Sequence, residues 1–308
     1  MIYDVIIVGG GPAGLSAAIY LARQKLKTLI LTIDIGGQTA LSSEIENYLG
    51  FESIPGMEFI EKCRKQVEKY PEIEIKEGVE VTQIKKNSVF TVTTSENENF
   101  QSKTVLIASG KLPRTLNVKG EKELAKKGVT YCATCDAPLY RNKTTTVIGG
   151  GNSALNAILQ LSKIAVKVYA INKNPDFKGD ETLKQRVKEC KNVEIINNAE
   201  TLEIIGDKKV TGVKIKTNNQ EKIINTDGVF IEIGSNPSSA FTQVEKNKWN
   251  EIIINNENMT SVEGIFAAGD VTNIEQKQSI IAAGEGAKAA LKIIEYLNAK
   301  KKQKPNTS

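Results

Sequence analysis

The sequence predicts an α/β protein with two parallel-sheet domains, each organised around a strand, a glycine turn and a helix. Residues 4–14, "DVIIVGGGPAG", run from an apolar strand into Gly9, Gly11 and Gly14 and on into the helical pattern "LSAAIYLARQ". Residues 144–154, "TTTVIGGGNSA", repeat the device with Gly149, Gly151 and Ala154 ahead of "LNAILQLSK". Near the end, "GIFAAGDVTN" delivers Asp270 at a strand exit, before a helix expected over about Ser279–Leu297. That return to a strand so far from the first turn suggests that the chain comes back to complete its first domain.

The first turn has a specific logic. One glycine makes the tight turn, one admits a pyrophosphate against the backbone, and the third lets the helix pack closely on the strand. The amides at the helix N-terminus then face the phosphates. The same reading at 144–154 makes both domains Rossmann-like nucleotide-binding folds. Between and after them, "TVLIASG" ends at Gly110 and "GVFIEIGSNP" ends near Pro237, apolar runs that stop at small residues as parallel strands do where they meet a ligand. The alternating segments "VFTVTTSENENF" and "KKVTGVKIKTNNQ" read as short meanders.

A length of 308 residues favours two domains over one core or three. No apolar run reaches the roughly 18 residues that a membrane span needs. "MIYDVIIVGGG" has no basic lead before its apolar stretch, so the chain reads as cytoplasmic, with no membrane partner. The net charge of +5 is modest, and its concentration at Lys300, Lys301, Lys302 and Lys304 reads as a frayed, solvated tail. No basic stripe with interleaved aromatics points to nucleic acid. The chain has no histidine, which removes Ser-His and Cys-His nucleophile pairs and the commonest zinc ligand.

Of the four cysteines, Cys63 and Cys190 sit in helical patterns and are expected to face the core. The other two, Cys132 and Cys135, lie in "VTYCATCDAP" with Asp136 directly behind them. Three readings stand open for this pair. A metal clip would have to recruit Cys63 and Cys190, an inert disulfide runs against a reducing cytosol, and a redox-active pair needs an electron source nearby.

Seven motifs in order, "GGGPAG" at 9–14, "GGQ" at 36–38, "EIENY" at 44–48, "IASG" at 107–110, "CATCD" at 132–136, "VIGGGNSA" at 147–154 and "GIFAAGDV" at 264–271, resemble the low-molecular-weight thioredoxin reductase family over essentially the whole chain. The resemblance implies a ββα-type FAD domain made of residues 1–112 and 240–308. An NAD(P)H-binding-like domain, residues 113–239, is inserted into it and carries the CxxC. By matching position, Gly9, Gly11, Pro12, Ala13, Gly14, Gln38, Asn47, Ala108, Gly110, Asp270, Lys277 and Gln278 would hold FAD, with Lys277 where the family often has arginine. Cys132 and Cys135 become a redox pair, Cys135 facing the flavin and Cys132 attacking the disulfide of a thioredoxin-like protein. Asp136 would shuttle the proton, or else only cap the turn before Pro138. A homodimer and rotation of the inserted domain on linkers near 112–119 and 236–244 are further implications.

The chain departs from that family where its NADPH-using members carry a histidine, paired arginines and a third arginine. Here Asn172, Lys173, Asn174 and Lys178 stand instead, and Asn156 and Ala157 replace an acidic pair. Forked arginines bind phosphate through charge-assisted bonds that lysine and asparagine do not reproduce. The expectation is therefore a weak NADPH site, a preference for NADH, or an external carrier, with ferredoxin the favoured donor. Two rivals remain. One is the peroxiredoxin-reducing core of an alkyl hydroperoxide reductase flavoprotein, whose extra N-terminal region is not expected here because Met1 opens almost directly into the first strand; the other is a non-catalytic FAD module.

Overall fold

The structure, a computed structural model, describes residues 1–42 and 45–303. Glu44 of "EIENY", Lys304 and the side chain of Lys302 lie outside the described residues. The chain forms two compact units. Unit 1 comprises Met1–Leu41, Asn47–Leu112 and Asn236–Ser308, and unit 2 comprises Ser42–Glu46 and Pro113–Ser235.

Unit 1 begins with β1 (Ile2–Gly10), α1 (Pro12–Arg23), β2 (Thr28–Ile35), α2 (Gly56–Val67), β3 (Ile73–Glu77), β4 (Val81–Lys86), β5 (Phe90–Thr94) and β6 (Asn99–Ile107). The chain crosses to unit 2 at β7 (Lys111–Pro113). There it forms β8 (Val129–Thr130), α3 (Ala133–Asp136), β9 (Thr144–Ile148), α4 (Asn152–Ser162), β10 (Lys167–Ile171), α5 (Glu181–Lys188), β11 (Val193–Ile196), β12 (Ala199–Gly206), β13 (Val210–Thr217), β14 (Gln220–Asn225) and β15 (Gly228–Ile231). It returns at β16 (Ser235–Pro237) and ends in β17 (Ile265–Ala267) and α6 (Ser279–Gln303).

In unit 1 the sheet order is β3-β2-β1-β6-β5-β4, with β17 also on β6. The strands β3, β2, β1, β6 and β17 are parallel, whereas β4 and β5 form an antiparallel meander. The length of β6 explains how it takes three neighbours: Asn99–Ser102 pairs with β5, and Val105–Ile107 pairs with β17. Val5, Ile6 and Ile7 are fully buried, the continuous apolar run of a strand covered on both faces. Helix α1 buries Ala13, Gly14, Leu15, Ala17, Ala18, Leu21 and Ala22, and α6 packs against it at small residues. A Cβ on Gly286 would lie 2.0 Å from the Ala13 carbonyl oxygen, so only glycine permits this approach of the two helices.

Unit 2 has a five-stranded parallel sheet, β11-β10-β9-β15-β8, and a separate antiparallel sheet, β12-β13-β14. Helix α4 lays Ala154, Leu155, Ala157, Ile158 and Leu161 on the parallel sheet, and Phe177 closes over the same core. Asp180 caps α5 by accepting the amides of Thr182 at 2.9 Å and Leu183 at 3.3 Å.

The last helix runs to Gln303 rather than stopping near Leu297, and Lys300 pairs with Glu263 at 2.8 Å, so the lysine run starts as helix surface and not as a frayed tail. Cys63 and Cys190 are half-buried rather than in the core; Cys190 lies past the end of α5, with its thiol against Ser162 and the Arg186 carbonyl. The return to unit 1 falls at Ser235–Asn236, ahead of the expected 239/240 boundary. Ser238 ties the segment to unit 1, donating its amide to the Gly110 carbonyl at 3.0 Å, while its own carbonyl accepts the Ser109 hydroxyl at 2.6 Å. Among the described residues no helix is long and apolar enough to cross a membrane, and no group of three or more Cys, Asp or Glu could hold a metal ion.

Candidate active site

In unit 1 the parallel register aligns the carboxyl ends of three strands. Val8 pairs with Ile107 and Ile107 with Ala267, which brings Gly9, Ala108 and Ala268 side by side, with Asp270 just beyond. Gly9 has φ +113°, and a Cβ there would lie 2.3 Å from the Ala108 carbonyl oxygen. A Cβ on Gly14 would lie 2.1 Å from the Gly9 carbonyl oxygen, which is the close packing of helix on strand that the third glycine provides. At Gly11 the nearest atom to such a Cβ is 4.0 Å away, so the second glycine faces open space. Pro12 opens α1, and no side chain caps its N-terminus. That combination of a tight turn, an open second glycine and an uncapped helix start fits the pyrophosphate of FAD.

Around this turn, Gln38 donates its amide to the Lys111 carbonyl, and Asn47 donates to Gln278 Oε1 at 3.1 Å. These polar side chains, distant in sequence, come together on unit 1. Gly110 takes φ +66° with nothing near its missing Cβ. Burial raises the Asp270 carboxyl above the ordinary range, against the opposing pull of Lys111 and Lys277. Lys277 does not stand free: its ammonium meets Glu251 at 3.1 Å and the Thr272 carbonyl at 2.5 Å, while burial lowers its pKa. Sequence reading missed Lys111 and Glu251, since neither lies in a motif. It also missed Thr32, which accepts the Gly10 amide at 2.9 Å and so holds the turn from β2. Substituting Gly14→Ala is expected to cost about 1–3 kcal/mol by overpacking, and to release the cofactor. Thermal melting and flavin absorbance of the purified protein check both effects.

In unit 2, β8 leads into α3, and Cys132 and Cys135 are disulfide-bonded with Cα atoms 5.3 Å apart. Cys132 is the N-cap of α3, its sulfur accepting the Cys135 amide at 3.2 Å. Glu232, which follows β15, accepts the Ala133 amide at 3.1 Å and fixes the start of the turn. Thr130 accepts the Cys132 amide at 3.2 Å and donates its hydroxyl to Asp136 Oδ2. The other carboxylate oxygen, Oδ1, is buried with no hydrogen-bond partner. Burial accordingly raises the Asp136 pKa, with the Thr130 bond opposing it. Sequence reading singled out Cys132, Cys135 and Asp136 but passed over Thr130 and Glu232. The "TxC" spacing, which lets a hydroxyl reach an amide two residues on, was the one local signal for Thr130.

The second glycine turn is formed too. Gly149 has φ +153°, and a Cβ there would lie 2.2 Å from the Glu232 carbonyl oxygen; Gly151 faces open space at the start of α4. After β10 the chain turns through Asn172 and Asn174. Asn172 is fully buried, donating to Asn197 Oδ1 at 3.1 Å and accepting the Asn174 amide at 3.1 Å. Its Oδ1 also occupies the space beside Gly150. Lys173 and Lys178 are exposed, and Asn156 is exposed on α4. Acid lies close by, with Asp176 of this loop and Glu181 at the start of α5 paired to Lys184 at 3.2 Å and 2.8 Å.

Residues 3–288 match the family model described as pyridine nucleotide-disulphide oxidoreductase. The chain is 33% identical to the thioredoxin reductase of Streptococcus pyogenes, with a TM-score of 0.91 over 97% of this chain and 99% of that one. It is likewise 33% identical to a thioredoxin reductase from Giardia duodenalis, with a TM-score of 0.89 over 96% and 99% of the two chains. Among curated relatives it is 42% identical to a component of the alkyl hydroperoxide reductase of Staphylococcus epidermidis over 300 residues, 96% of this chain but 59% of that protein. The chain thus spans less than two thirds of the length of the curated relatives it matches.

Proposed function

The chain belongs to the pyridine nucleotide-disulphide oxidoreductase family, whose thioredoxin reductase branch binds FAD, and from that premise we propose that it reduces the disulfide of a thioredoxin-like protein. The observation that carries this reading is the Cys132–Cys135 disulfide on α3, with a buried, half-unpartnered carboxyl at Asp136 beside it. Bound FAD supplies the electron pair that reduces this disulfide. Cys132 is the exchanging thiol: as a thiolate it keeps the Cys135 amide as donor, which favours the charged form. Asp136, whose affinity for a proton is raised by burial, is the group placed to deliver the proton that one of the two sulfurs needs. Gly9, Gly11, Pro12, Ala13 and Gly14 would hold the pyrophosphate, and Gln38, Asn47, Ala108, Gly110, Asp270, Lys277 and Gln278 would bind the rest of the cofactor. The test is turnover of a thioredoxin disulfide by the yellow, FAD-loaded protein; absence of turnover with chemically reduced enzyme would overturn the reading.

The reading of the donor draws on the loop after β10. Asn172 is committed to an asparagine network, Asn174 is bonded to it, and only Lys173 and Lys178 remain as exposed cations where forked arginines would bind a 2′-phosphate. We therefore propose a small acidic one-electron carrier such as ferredoxin as the preferred donor over NADPH. The expected result is that NADPH bleaches the enzyme slowly, within about tenfold of NADH, since each lost charge-assisted bond is worth about 1.5–3 kcal/mol. Stopped-flow absorbance with NADPH, NADH and reduced ferredoxin in parallel measures this. Rapid bleaching that saturates at low NADPH would refute it.

A second reading is favoured by the identity to the alkyl hydroperoxide reductase components: the protein substrate would belong to a peroxiredoxin system. Competition between oxidised thioredoxin and an oxidised peroxiredoxin for the same reduced enzyme separates the two.

A further inference from the structure

Among the described residues, the side chain that bonds Asp136 is that of Thr130, and it belongs to the strand before the thiols rather than to their own turn. Its hydroxyl has two engagements. One lone pair accepts the Cys132 amide at 3.2 Å, and the hydrogen goes to Asp136 Oδ2. With Oδ2 accepting, the carboxyl proton belongs on Oδ1, which is buried and has no partner. We propose that Thr130 is a positioning residue for proton transfer at the thiol pair, orienting the Asp136 carboxyl so that Oδ1 carries the exchangeable proton. The inference rests on the disulfide-reductase reading.

Two-electron reduction of the Cys132–Cys135 bond, with FAD-borne electrons, breaks S–S and leaves two anionic sulfurs. One takes the Oδ1 proton and becomes a thiol, the other stays a thiolate, and Asp136 recovers its proton from solvent. The groups facing Asp136 are few. Tyr140, on the turn that follows α3, has its hydroxyl pKa pushed up to about 12, by burial first and by the charges of Asp136 and Asp227 after it. Lys143 lies over the Tyr140 ring at 5.3 Å, and Glu232 holds the Ala133 amide. Helix α4, packed on α3, carries no titratable side chain from Asn152 to Ser162. Tyr140 is itself locked, with its ring 5.0 Å from Phe230 and no room for a Cβ on Gly228. Among these groups no second donor stands ready to replace Thr130.

The test uses the FAD-loaded protein and the variants Thr130→Val and Thr130→Ser. An infrared titration follows the protonated carboxyl band that disappears in Asp136→Asn, and the pH profile of disulfide reduction is recorded alongside. Losing the hydroxyl removes a bond that favours the carboxylate, so Thr130→Val is expected to shift the band's titration to higher pH. The alkaline limb of the profile should move with it while the maximal rate falls, and Thr130→Ser should restore all three. An unmoved titration in Thr130→Val, or a serine variant that behaves like valine, would overturn the proposal; Thr130→Ala replaces valine if that protein does not fold. A wild type that reduces no protein disulfide while the band still shifts would overturn the functional reading and leave the positioning role standing.

Discussion

Cys132→Ser and Cys135→Ser are each expected to reduce protein-disulfide turnover to background, a loss on the order of 10⁴-fold or more for removal of a member of a nucleophilic unit. The fold should survive. Serine at position 132 is a better N-cap than cysteine, and its hydroxyl can take over the 3.2 Å bond from the Cys135 amide. FAD should stay bound, because the cradle of Gly9, Gly11 and Gly14 is built within unit 1. The control is equally specific. Cys63 and Cys190 are half-buried free thiols, and burial raises the Cys63 pKa, which makes it a poor nucleophile near neutrality. Serine at either position should leave turnover intact and cost about 1 kcal/mol of stability at most. Steady-state assays with flavin absorbance on the four variants decide this; near-normal turnover in either Cys132→Ser or Cys135→Ser means that electrons leave by another route.

Asp136→Asn is expected to slow turnover by about 10²–10⁴-fold, the usual contribution of a positioned acid, while removing a loss of stability that the wild type suffers as pH rises out of the ordinary carboxylate range. The sign follows from the raised pKa. In the folded protein the carboxyl holds its proton above the ordinary carboxylate range, whereas in the unfolded chain it loses it within that range. Its contribution to stability is fully present below the unfolded pKa and is lost as pH rises through the folded one. Asparagine cannot ionise, so the variant lacks this loss. Thermal melting across a pH series should show wild type losing stability relative to Asp136→Asn as pH rises from the ordinary carboxylate range through the raised folded pKa. Parallel melting curves, with the rate also preserved, would mean that Asp136 takes no part in proton transfer; its side chain makes no capping bond to the turn before Pro138.

What the sequence by itself determined are the features enforced by neighbours along the chain. Gly9 takes the positive φ of the turn, and Gly14 packs against the Gly9 carbonyl five residues back where a Cβ would not fit, constraints set within the motif itself. The CxxC spacing likewise places Cys132 and Cys135 on one helical turn, near enough to bond whatever lies around them. The two strand–turn–helix units and the alternating meanders were legible for the same reason, since period and turn chemistry are short-range. Tertiary structure alone decided what each polar group is worth. Asp136 is a carboxyl with one oxygen bonded to Thr130 and the other shut off from water, because β8 runs beside the thiol turn. Asn172, which aligned with a ligand-binding position, is instead consumed by Asn174 and Asn197, since it is fully buried just past the end of β10. Lys277 spends its charge on Glu251, and Lys300 on Glu263, partners 26 and 37 residues away in the chain. Burial and ion pairing depend on which distant segments meet in space, and so no window of the sequence contains them.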